Sequence, residues 1–264
     1  MEEKVMLIDV SKCTACRACQ VACKQWNKLP AEKTQQRGTH QNPPDLTPTT
    51  WNLVRYTELP TKNGEMRWLF RKDNCMHCTD PACQRACPVP GCIFKTPEGA
   101  VVIDKEKCIG CKYCVNVCPF EIPRYDSATD KVYKCSLCWD RISIGQIPAC
   151  SKTCAPGAVT FGPKDRMIAQ AYARAKVLGG DAMVYGDKYV KGTHVVYVLP
   201  EKVRMYDSLP VNPSIPWTLI VWKDILKPLS MLSIVGGLVI TYLYYILKGP
   251  KVPGRQEEEG GEEP

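Results

Sequence analysis

Several features that common classes of protein need are scarce in this chain of 264 residues. It has only four phenylalanines and three histidines, and 22 prolines interrupt it, which argues against one large, regular helical core. No nucleophile stands out beside a general base, and no glycine-rich loop of the kind that cradles phosphate is present. The chain therefore lacks the marks of a hydrolase or a nucleotide-binding enzyme, and we expect no catalytic residue in it.

The balance of charge and apolar residues excludes further classes. With 45% hydrophobic and 23% charged residues, the chain is not a disordered one. Its formal net charge of +8 suggests an acidic partner or an anionic membrane, but no basic stripe points to nucleic acid. Residues 1–9 lack a basic start followed by an apolar run, so we expect no signal peptide.

Cysteine is the abundant residue, with an odd total of seventeen. Sixteen of them fall into four groups of four that each open with Cys-x-x-Cys, and only Cys92 stands outside the groups. Cysteines on adjacent turns rarely meet disulfide geometry without strain, so the pattern favours metal ligation. The groups are Cys13, Cys16, Cys19 and Cys23; Cys75, Cys78, Cys83 and Cys87; Cys108, Cys111, Cys114 and Cys118; and Cys135, Cys138, Cys150 and Cys154.

The spacing within the groups distinguishes two kinds of metal site. A structural zinc site has two Cys-x-x-Cys pairs a dozen or more residues apart, and only the fourth group could pass for one. The groups that begin at Cys13 and Cys108 have the spacing of bacterial ferredoxins, in which three cysteines bind one cubane and the fourth binds its neighbour. Proline follows Cys87 and Cys118, as in that motif. The sequence predicts four [4Fe-4S] clusters.

The pairing of the groups fixes the ligand sets, because paired groups exchange their fourth cysteines. The second and third groups share the Cys-Pro ending, which predicts one ferredoxin-like unit inserted into another. Pairing the first group with the second, and the third with the fourth, remains an alternative. The nested inner unit would use Cys75, Cys78 and Cys83 with Cys118, and Cys108, Cys111 and Cys114 with Cys87. The outer unit would use Cys13, Cys16 and Cys19 with Cys154, and Cys135, Cys138 and Cys150 with Cys23.

An internal repeat supports the ferredoxin-like interpretation. Short apolar strands, residues 5–9 and 101–104, precede the first and third groups. The stretch around Cys92 after the second group matches the stretch around Ala158 after the fourth, so Cys92 is expected to be a small buried thiol and not a ligand.

Histidines and glycines near the cysteines have simpler expected roles. His77 lies within Cys-Met-His-Cys and is expected to pack beside a cluster, whereas His40 and His194 look isolated from any metal. Glycines beside the cysteines are expected to allow close backbone approach, at Gly110, Gly145 and Gly157.

The remaining segments complete an α+β chain with two interleaved ferredoxin-like units. Residues 31–74 predict a polar loop and a hairpin that turns at Asn63-Gly64, and this insertion is either a docking surface or a cover over the clusters. Residues 164–178 predict a helix, and residues 193–199 predict a strand. We divide the chain into an outer unit (1–30 and 130–165), the insertion (31–74), an inner unit (75–129), an extension (166–213), an interfacial segment with a membrane helix (214–248) and a polar tail (249–264).

A single membrane helix is expected near the C-terminus. Residues 228–247 carry no charge, and at 1.5 Å per residue they span about 30 Å, enough for a bilayer core. A buried helix of a soluble protein is the alternative. Three basic residues follow the helix and two precede it closely, so the positive-inside rule favours a cytoplasmic C-terminus and an iron–sulfur head on the periplasmic side.

The amino-acid sequence around the first group resembles that of a known family. Residues 8–27, Ile-Asp-Val-Ser-Lys-Cys-Thr-Ala-Cys-Arg-Ala-Cys-Gln-Val-Ala-Cys-Lys-Gln-Trp-Asn, closely resemble the iron–sulfur (beta) subunit of membrane-bound formate dehydrogenases. Residues 29–33, 75–83, 108–114 and 119–125 are similar to it too. The four-group plan alone is less specific, because hydrogenases and reductases of nitrate, dimethyl sulfoxide and sulfur compounds share it. Nitrate-reductase-type subunits replace one cysteine of the third group, but all four are present here, which favours four cubanes.

The resemblance implies a non-catalytic electron-transfer subunit in the cell (inner) membrane. Its partners would be a catalytic alpha subunit with a molybdenum or tungsten bis-pyranopterin site and a cytochrome b gamma subunit in the lipid bilayer. Electrons from formate would then pass through the four clusters to a haem and to quinone. The alternatives are the equivalent subunit of a hydrogenase or of a sulfur-compound or dimethyl sulfoxide-type reductase, and, more remotely, a zinc-binding membrane adaptor.

Overall fold

The computed structural model describes residues 2–60 and 64–249 and separates the chain into two units. Met1–Pro216 is the first unit, called the head below, and Trp217–Pro264 is the second. The strands β1–β10 and the helices α1–α6 lie in the head, and the remaining helices, α7 and α8, lie in the second unit.

A four-stranded sheet forms the centre of the head. Its strands, in spatial order, are β8 (Val159–Pro163), β1 (Lys4–Asp9), β10 (Val195–Leu199) and β9 (Met183–Tyr185). Strands β1 and β10 run parallel, and the two outer pairs are antiparallel. Both central strands are apolar along nearly their whole length because they are covered on both faces.

Alternate residues of the central strands face two different clusters of side chains. Val5 and Leu7 pack with Val196 and Val198 against the helix α6 (Lys164–Leu178). Met6, Ile8 and the intervening side chains of β10 point the other way, into the main core, which also contains Cys19, Cys75, Cys135 and Cys150. The sheet therefore forms a wall beside the cysteines, with α6 on its far side.

The predicted hairpin and the predicted helix are both confirmed. Strands β2 (Asn52–Pro60) and β3 (Met66–Asn74) pair antiparallel, with Asn52 opposite Asn74, although Asn63 of the expected turn is outside the described residues. Helix α6 has the expected bounds and ends at Gly179, which has a φ of +65°.

The internal repeat is visible as matching strand pairs. After the second cysteine group β4 (Ile93–Lys95) pairs with β5 (Val101–Ile103), and after the fourth group β8 pairs with β1. Each pair continues into the same hydrogen bond, since Asp104 N donates to Cys92 O at 2.7 Å and Asp9 N donates to Ala158 O at 2.8 Å. Cys92 and Ala158 are both buried, as the alignment of the repeats predicts. A further hairpin joins β6 (Arg124–Asp126) and β7 (Lys131–Tyr133).

Short helices carry or adjoin the cysteines. Five of them lie in the head before α6, and none exceeds nine residues. They are α1 (Ala18–Trp26), α2 (Ala82–Ala86), α3 (Tyr113–Asn116), α4 (Trp139–Ile142) and α5 (Ala149–Lys152).

The described part of the second unit is one helical run from Trp217 to Lys248. Helix α7 (Trp217–Ile220) leads through a π-helical turn, Val221–Leu226, into α8 (Lys227–Lys248). Trp217–Lys248 is long and apolar enough to cross a membrane, and its apolar window is not buried, unlike the core helix of a soluble protein. The expected interfacial stretch and the membrane helix are thus joined without a break in the helix.

Candidate iron–sulfur site

All seventeen cysteines are free thiols in the head. Most of them are buried or partly buried, and only Cys16 and Cys111 are exposed. A cysteine that lies close to another raises the pKa of its thiol. These interactions show which cysteines lie together.

One cavity brings together cysteines that are far apart in the sequence. Cys23 lines it with Cys135, Cys138 and Cys150, beside Lys72 and aromatic and amide side chains. Cys150 lies close enough to raise the pKa of Cys23 and of Cys138. We call these four residues the second set.

Cys154, the last cysteine of the fourth group, also lies close to cysteines of another group. Cys13 interacts with Cys154 and Cys16, and Cys19 interacts with Cys13 and Cys154. These four cysteines, Cys13, Cys16, Cys19 and Cys154, are called the first set.

The cysteines of the second and third groups also lie close to one another. Cys78 interacts with Cys75, Cys118 and Cys83, which together make the third set. Cys114 interacts with Cys111, Cys108 and Cys87, which together make the fourth set.

Contacts between sets place them in a row. Cys19 of the first set interacts with Cys150 of the second. Cys135 of the second interacts with Cys75 of the third. Cys83 of the third interacts with Cys114 of the fourth. The two exposed cysteines, Cys16 and Cys111, belong to the first and the last set of this row.

The protein alone disfavours the charged form of these thiols. Burial is the largest cause that raises the pKa of Cys19, Cys83, Cys114 and Cys138 to about 12. Thiolate ligation in such a place requires a compensating cation, which the iron of a cluster supplies. The donor set, buried sulfurs grouped in fours, therefore fits iron–sulfur clusters.

Hydrogen-bond donors reach several of the sulfurs. Leu137 N lies 3.3 Å from Cys135 Sγ, and Val159 N lies 3.3 Å from Cys154 Sγ. The side-chain amide of Asn27 donates to Cys23 Sγ at 3.6 Å. Such donors stabilise negative charge on cluster sulfur and tune the reduction potential.

The sets are wider than the coordination sphere of a single ion. Among residues 2–60 and 64–249, no three or more His, Cys, Asp or Glu side chains converge tightly enough to hold one metal ion. A cubane separates its ligand sulfurs by the body of the cluster, whereas one zinc ion draws four ligands within bonding distance of a point. The sets are thus not arranged as a tetrahedral zinc site.

Backbone geometry in the cysteine loops explains one of the glycines. A Cβ at Gly110, which has a φ of +65°, would lie 2.3 Å from Asp130 Oδ1, so the expected close approach is confirmed there. At Gly145 and Gly157 no described protein atom lies within 4 Å of that position. The close backbone approach expected at these two stays a prediction, and their positive φ suits glycine.

The histidines are placed differently from the simple expectation. His77 is fully buried, as expected of a packing residue, and Val101 N donates to its Nδ1 at 2.9 Å. His194 is not isolated, because its Nδ1 lies 2.7 Å from His77 O. Burial lowers the pKa of both rings, which favours their neutral form. His40 stacks against Tyr56, whose hydroxyl donates to Ala15 O at 3.1 Å, next to Cys16 of the first set.

Two buried lysines among the cysteines were not predicted from the sequence. Lys72 and Lys134 are 1% and 5% exposed. A lysine precedes every cysteine group by at most three residues, and Lys12 and Lys107 are the exposed members of this series. A lysine shortly before a cysteine group is the only sequence signal, and it does not distinguish the buried lysines from the exposed ones.

Comparison with known proteins agrees with this geometry. Models of a 4Fe-4S dicluster domain match residues 12–92 and residues 66–164, and the model of the formate dehydrogenase N transmembrane segment matches residues 215–258. The formate dehydrogenase iron-sulfur subunit of Haemophilus influenzae is 43% identical over 257 residues, which are 95% of this chain and 82% of that protein. The chain belongs to the family of formate dehydrogenase iron–sulfur subunits.

Other members of this family are similar over comparable lengths. The iron-sulfur subunit of the nitrate-inducible formate dehydrogenase of Escherichia coli is 43% identical over 263 residues, 97% of this chain and 89% of its own. Formate dehydrogenase 2 subunit beta (cytochrome c-553) of Nitratidesulfovibrio vulgaris is 40% identical over 214 residues, 77% of this chain and 96% of its own.

Membership in the iron–sulfur subunit family confirms several predictions. Two dicluster domains correspond to four [4Fe-4S] clusters, as the cysteine groups predict, and the remote zinc alternative is set aside. The transmembrane match and the apolar helix identify a membrane-anchored, single-pass protein.

Proposed function

We propose that this chain is the electron-transfer subunit of a membrane-bound formate dehydrogenase. Electrons from formate, oxidised on a catalytic subunit with molybdenum or tungsten, would enter the head at one end of the row of cysteine sets. They would leave at the other end to a cytochrome b subunit and then to quinone. The observation that carries this proposal is the cavity in which Cys23 meets Cys135, Cys138 and Cys150.

The four sets are the proposed ligand sets of the four clusters. Each contains three cysteines of one group and the fourth cysteine of another, as the nested ferredoxin-like arrangement requires. The outer unit, residues 1–30 and 130–165, holds the first and second sets. The inner unit, residues 75–129, holds the third and fourth.

The row of sets gives the chain its proposed role as a relay. Bound clusters supply one-electron chemistry, and the protein's part is to hold them at fixed separations. Burial excludes water from the middle of the row, while exposed Cys16 and Cys111 bring its two ends to the surface. The apolar side chains of Ile109 and Tyr113 are exposed on either side of Cys111, which suits contact with a partner protein.

Formate-driven reduction tests this proposal. We expect the complex, purified anaerobically with its partner subunits in mild detergent, to lose its iron–sulfur absorbance when formate is added. A Cys135→Ala variant, which interrupts the row, is expected to oxidise formate with a dye but to lose most haem reduction. A complex that responds to hydrogen and not to formate, or that contains a nickel–iron subunit, would instead support the hydrogenase alternative.

The proposed orientation places the head on the periplasmic side and the C-terminus in the cytoplasm. Lys248, Lys251 and Arg255 follow the uncharged stretch 228–247, against Lys223 and Lys227 before it. We expect protease to remove a C-terminal tag from inside-out vesicles and not from right-side-out vesicles. The reverse pattern would place the head in the cytoplasm and would leave the relay proposal intact.

A further inference from the structure

Lys72 is a buried cation at the junction of the first two sets. Its side chain leaves the end of β3, and Nζ donates to Asn74 Oδ1 at 2.7 Å. Asn74 is itself fully buried and fixed, because its amide donates to Cys75 O at 2.9 Å. Burial acts to lower the pKa of Lys72, but Cys150, Cys135 and Cys19 together raise it above its usual value.

Lys134 has the same relation to the second and third sets. It immediately precedes Cys135, and Nζ donates to Cys135 O at 3.1 Å and to Val101 O. Burial again acts to lower its pKa, and Cys75, Cys83 and Cys135 raise it. Lys134 also interacts with Cys78, Cys83 and Cys118, so it lies beside the third set as well as the second.

The placement of the two lysines follows the row of sets. Lys72 lines the same cavity as the four cysteines of the second set, and it also interacts with Cys19 of the first set. Lys134 interacts with Cys135 of the second set and with Cys75 and Cys83 of the third. Each lysine therefore lies between two neighbouring sets, and the second set lies beside both.

A buried ammonium group is costly unless negative charge surrounds it. A cubane with four thiolate ligands is negatively charged in both of its oxidation states and gains a further negative charge on reduction. Because Coulomb interactions are strong where water is excluded, a fixed cation nearby stabilises the reduced form more than the oxidised form. A shared cation acts on both neighbouring clusters in the same direction.

We propose that Lys72 and Lys134 are positioning charges of the relay that raise the reduction potentials of the clusters they lie between. This inference rests on the proposed ligand sets and on the electron-transfer function. Lys72 acts on the clusters of the first and second sets, and Lys134 acts on those of the second and third. Neither lysine is among the strongest influences on Cys114 of the fourth set, so the cluster of that set is expected to shift least and serves as an internal reference.

Redox titration of the intact complex, followed by electron paramagnetic resonance, tests the proposal. Lys72→Met is expected to lower the potentials of the first two clusters, and Lys134→Met those of the second and third. A tenfold shift in the ratio of oxidised to reduced cluster, about 59 mV for a one-electron couple, is the smallest effect expected. Lys72→Arg and Lys134→Arg, which keep the charge, are expected to restore most of the potential.

The control is Lys176→Met, which removes the same charge from the exposed face of α6 and should leave all four potentials unchanged. Lys72→Gln and Lys134→Gln serve if the Met variants do not load. Loading that fails with both neutral residues and succeeds with Arg also supports a required charge.

Two results would overturn the inference: unchanged potentials in a fully loaded Met variant, or equal shifts in the Met and Arg variants. The titration uses dithionite and an oxidant. It therefore measures the effect of the lysines on the cluster potentials even in a complex that does not oxidise formate. Absence of clusters from the wild-type chain would refute the proposed function itself.

Discussion

Replacing Cys16 and Cys154 together with alanine is expected to remove one cluster from the head. The two cysteines are 138 positions apart, yet both belong to the first set, because Cys13 interacts with each of them. The double variant should lose roughly four irons per chain, the content of one cubane. Iron and labile sulfide analysis, with electron paramagnetic resonance to count the remaining clusters, measures the loss.

A matched double variant separates the nested pairing from the alternative. Cys16→Ala with Cys87→Ala takes one ligand from the first set and one from the fourth, so it should lose roughly eight irons. If groups one and two were paired instead, Cys16 and Cys87 would share a cluster, and the two double variants would exchange their losses. That exchange would contradict the ligand sets proposed for the head.

Asp73→Ala is expected to lower the free energy of unfolding of the head more than the substitution of any exposed charged residue. Asp73 Oδ2 accepts a hydrogen bond from Arg55 Nε at 2.6 Å, and Oδ1 accepts one from Arg71 Nη1 at 3.0 Å. The side chains of Asp73 and Arg71 are 6% and 3% exposed, so removing the carboxylate takes away the ion pair of the buried Arg71, while Arg55 keeps its pair with Asp45. Breaking a buried pair in this way costs about 3–5 kcal/mol in the free energy of unfolding.

The matched control for Asp73 is Glu201→Ala. Glu201 pairs with Arg67, whose side chain is half exposed, and such a pair contributes at most about 1 kcal/mol. Urea titration, read as loss of iron–sulfur absorbance, should show the midpoint of Asp73→Ala well below that of Glu201→Ala. Equal midpoints would mean that the pairs of Asp73 with Arg55 and Arg71 contribute little to the stability of the hairpin.

Local spacing explains why the cluster type was predictable from the sequence. The three closely spaced cysteines of each ferredoxin motif lie in one short loop and can bind one cubane together. The motif can therefore be recognised from the sequence without knowledge of the fold. The internal repeat could be recognised for the same reason. The matching hydrogen bonds accepted by Cys92 O and Ala158 O show that the structure contains it.

Long-range packing explains what the sequence did not reveal. The parallel pairing of β1 with β10 joins residues almost two hundred positions apart, and no local pattern encodes it. The order of the sets follows from such packing. So does the burial of Lys72 and Lys134, which differ from Lys12 and Lys107 only in what lies around them. His194 looked isolated for the same reason, since its neighbour His77 is 117 positions away.

The central claim is that sixteen cysteines hold four cubanes in one head. Iron and acid-labile sulfide in the anaerobically purified complex test it most directly, after subtraction of the content of the partner subunits. We predict roughly sixteen of each per copy of this chain, with visible absorbance that bleaches on reduction. A colourless head that contains zinc and no labile sulfide would contradict the ligand sets, the relay and the role of the buried lysines together.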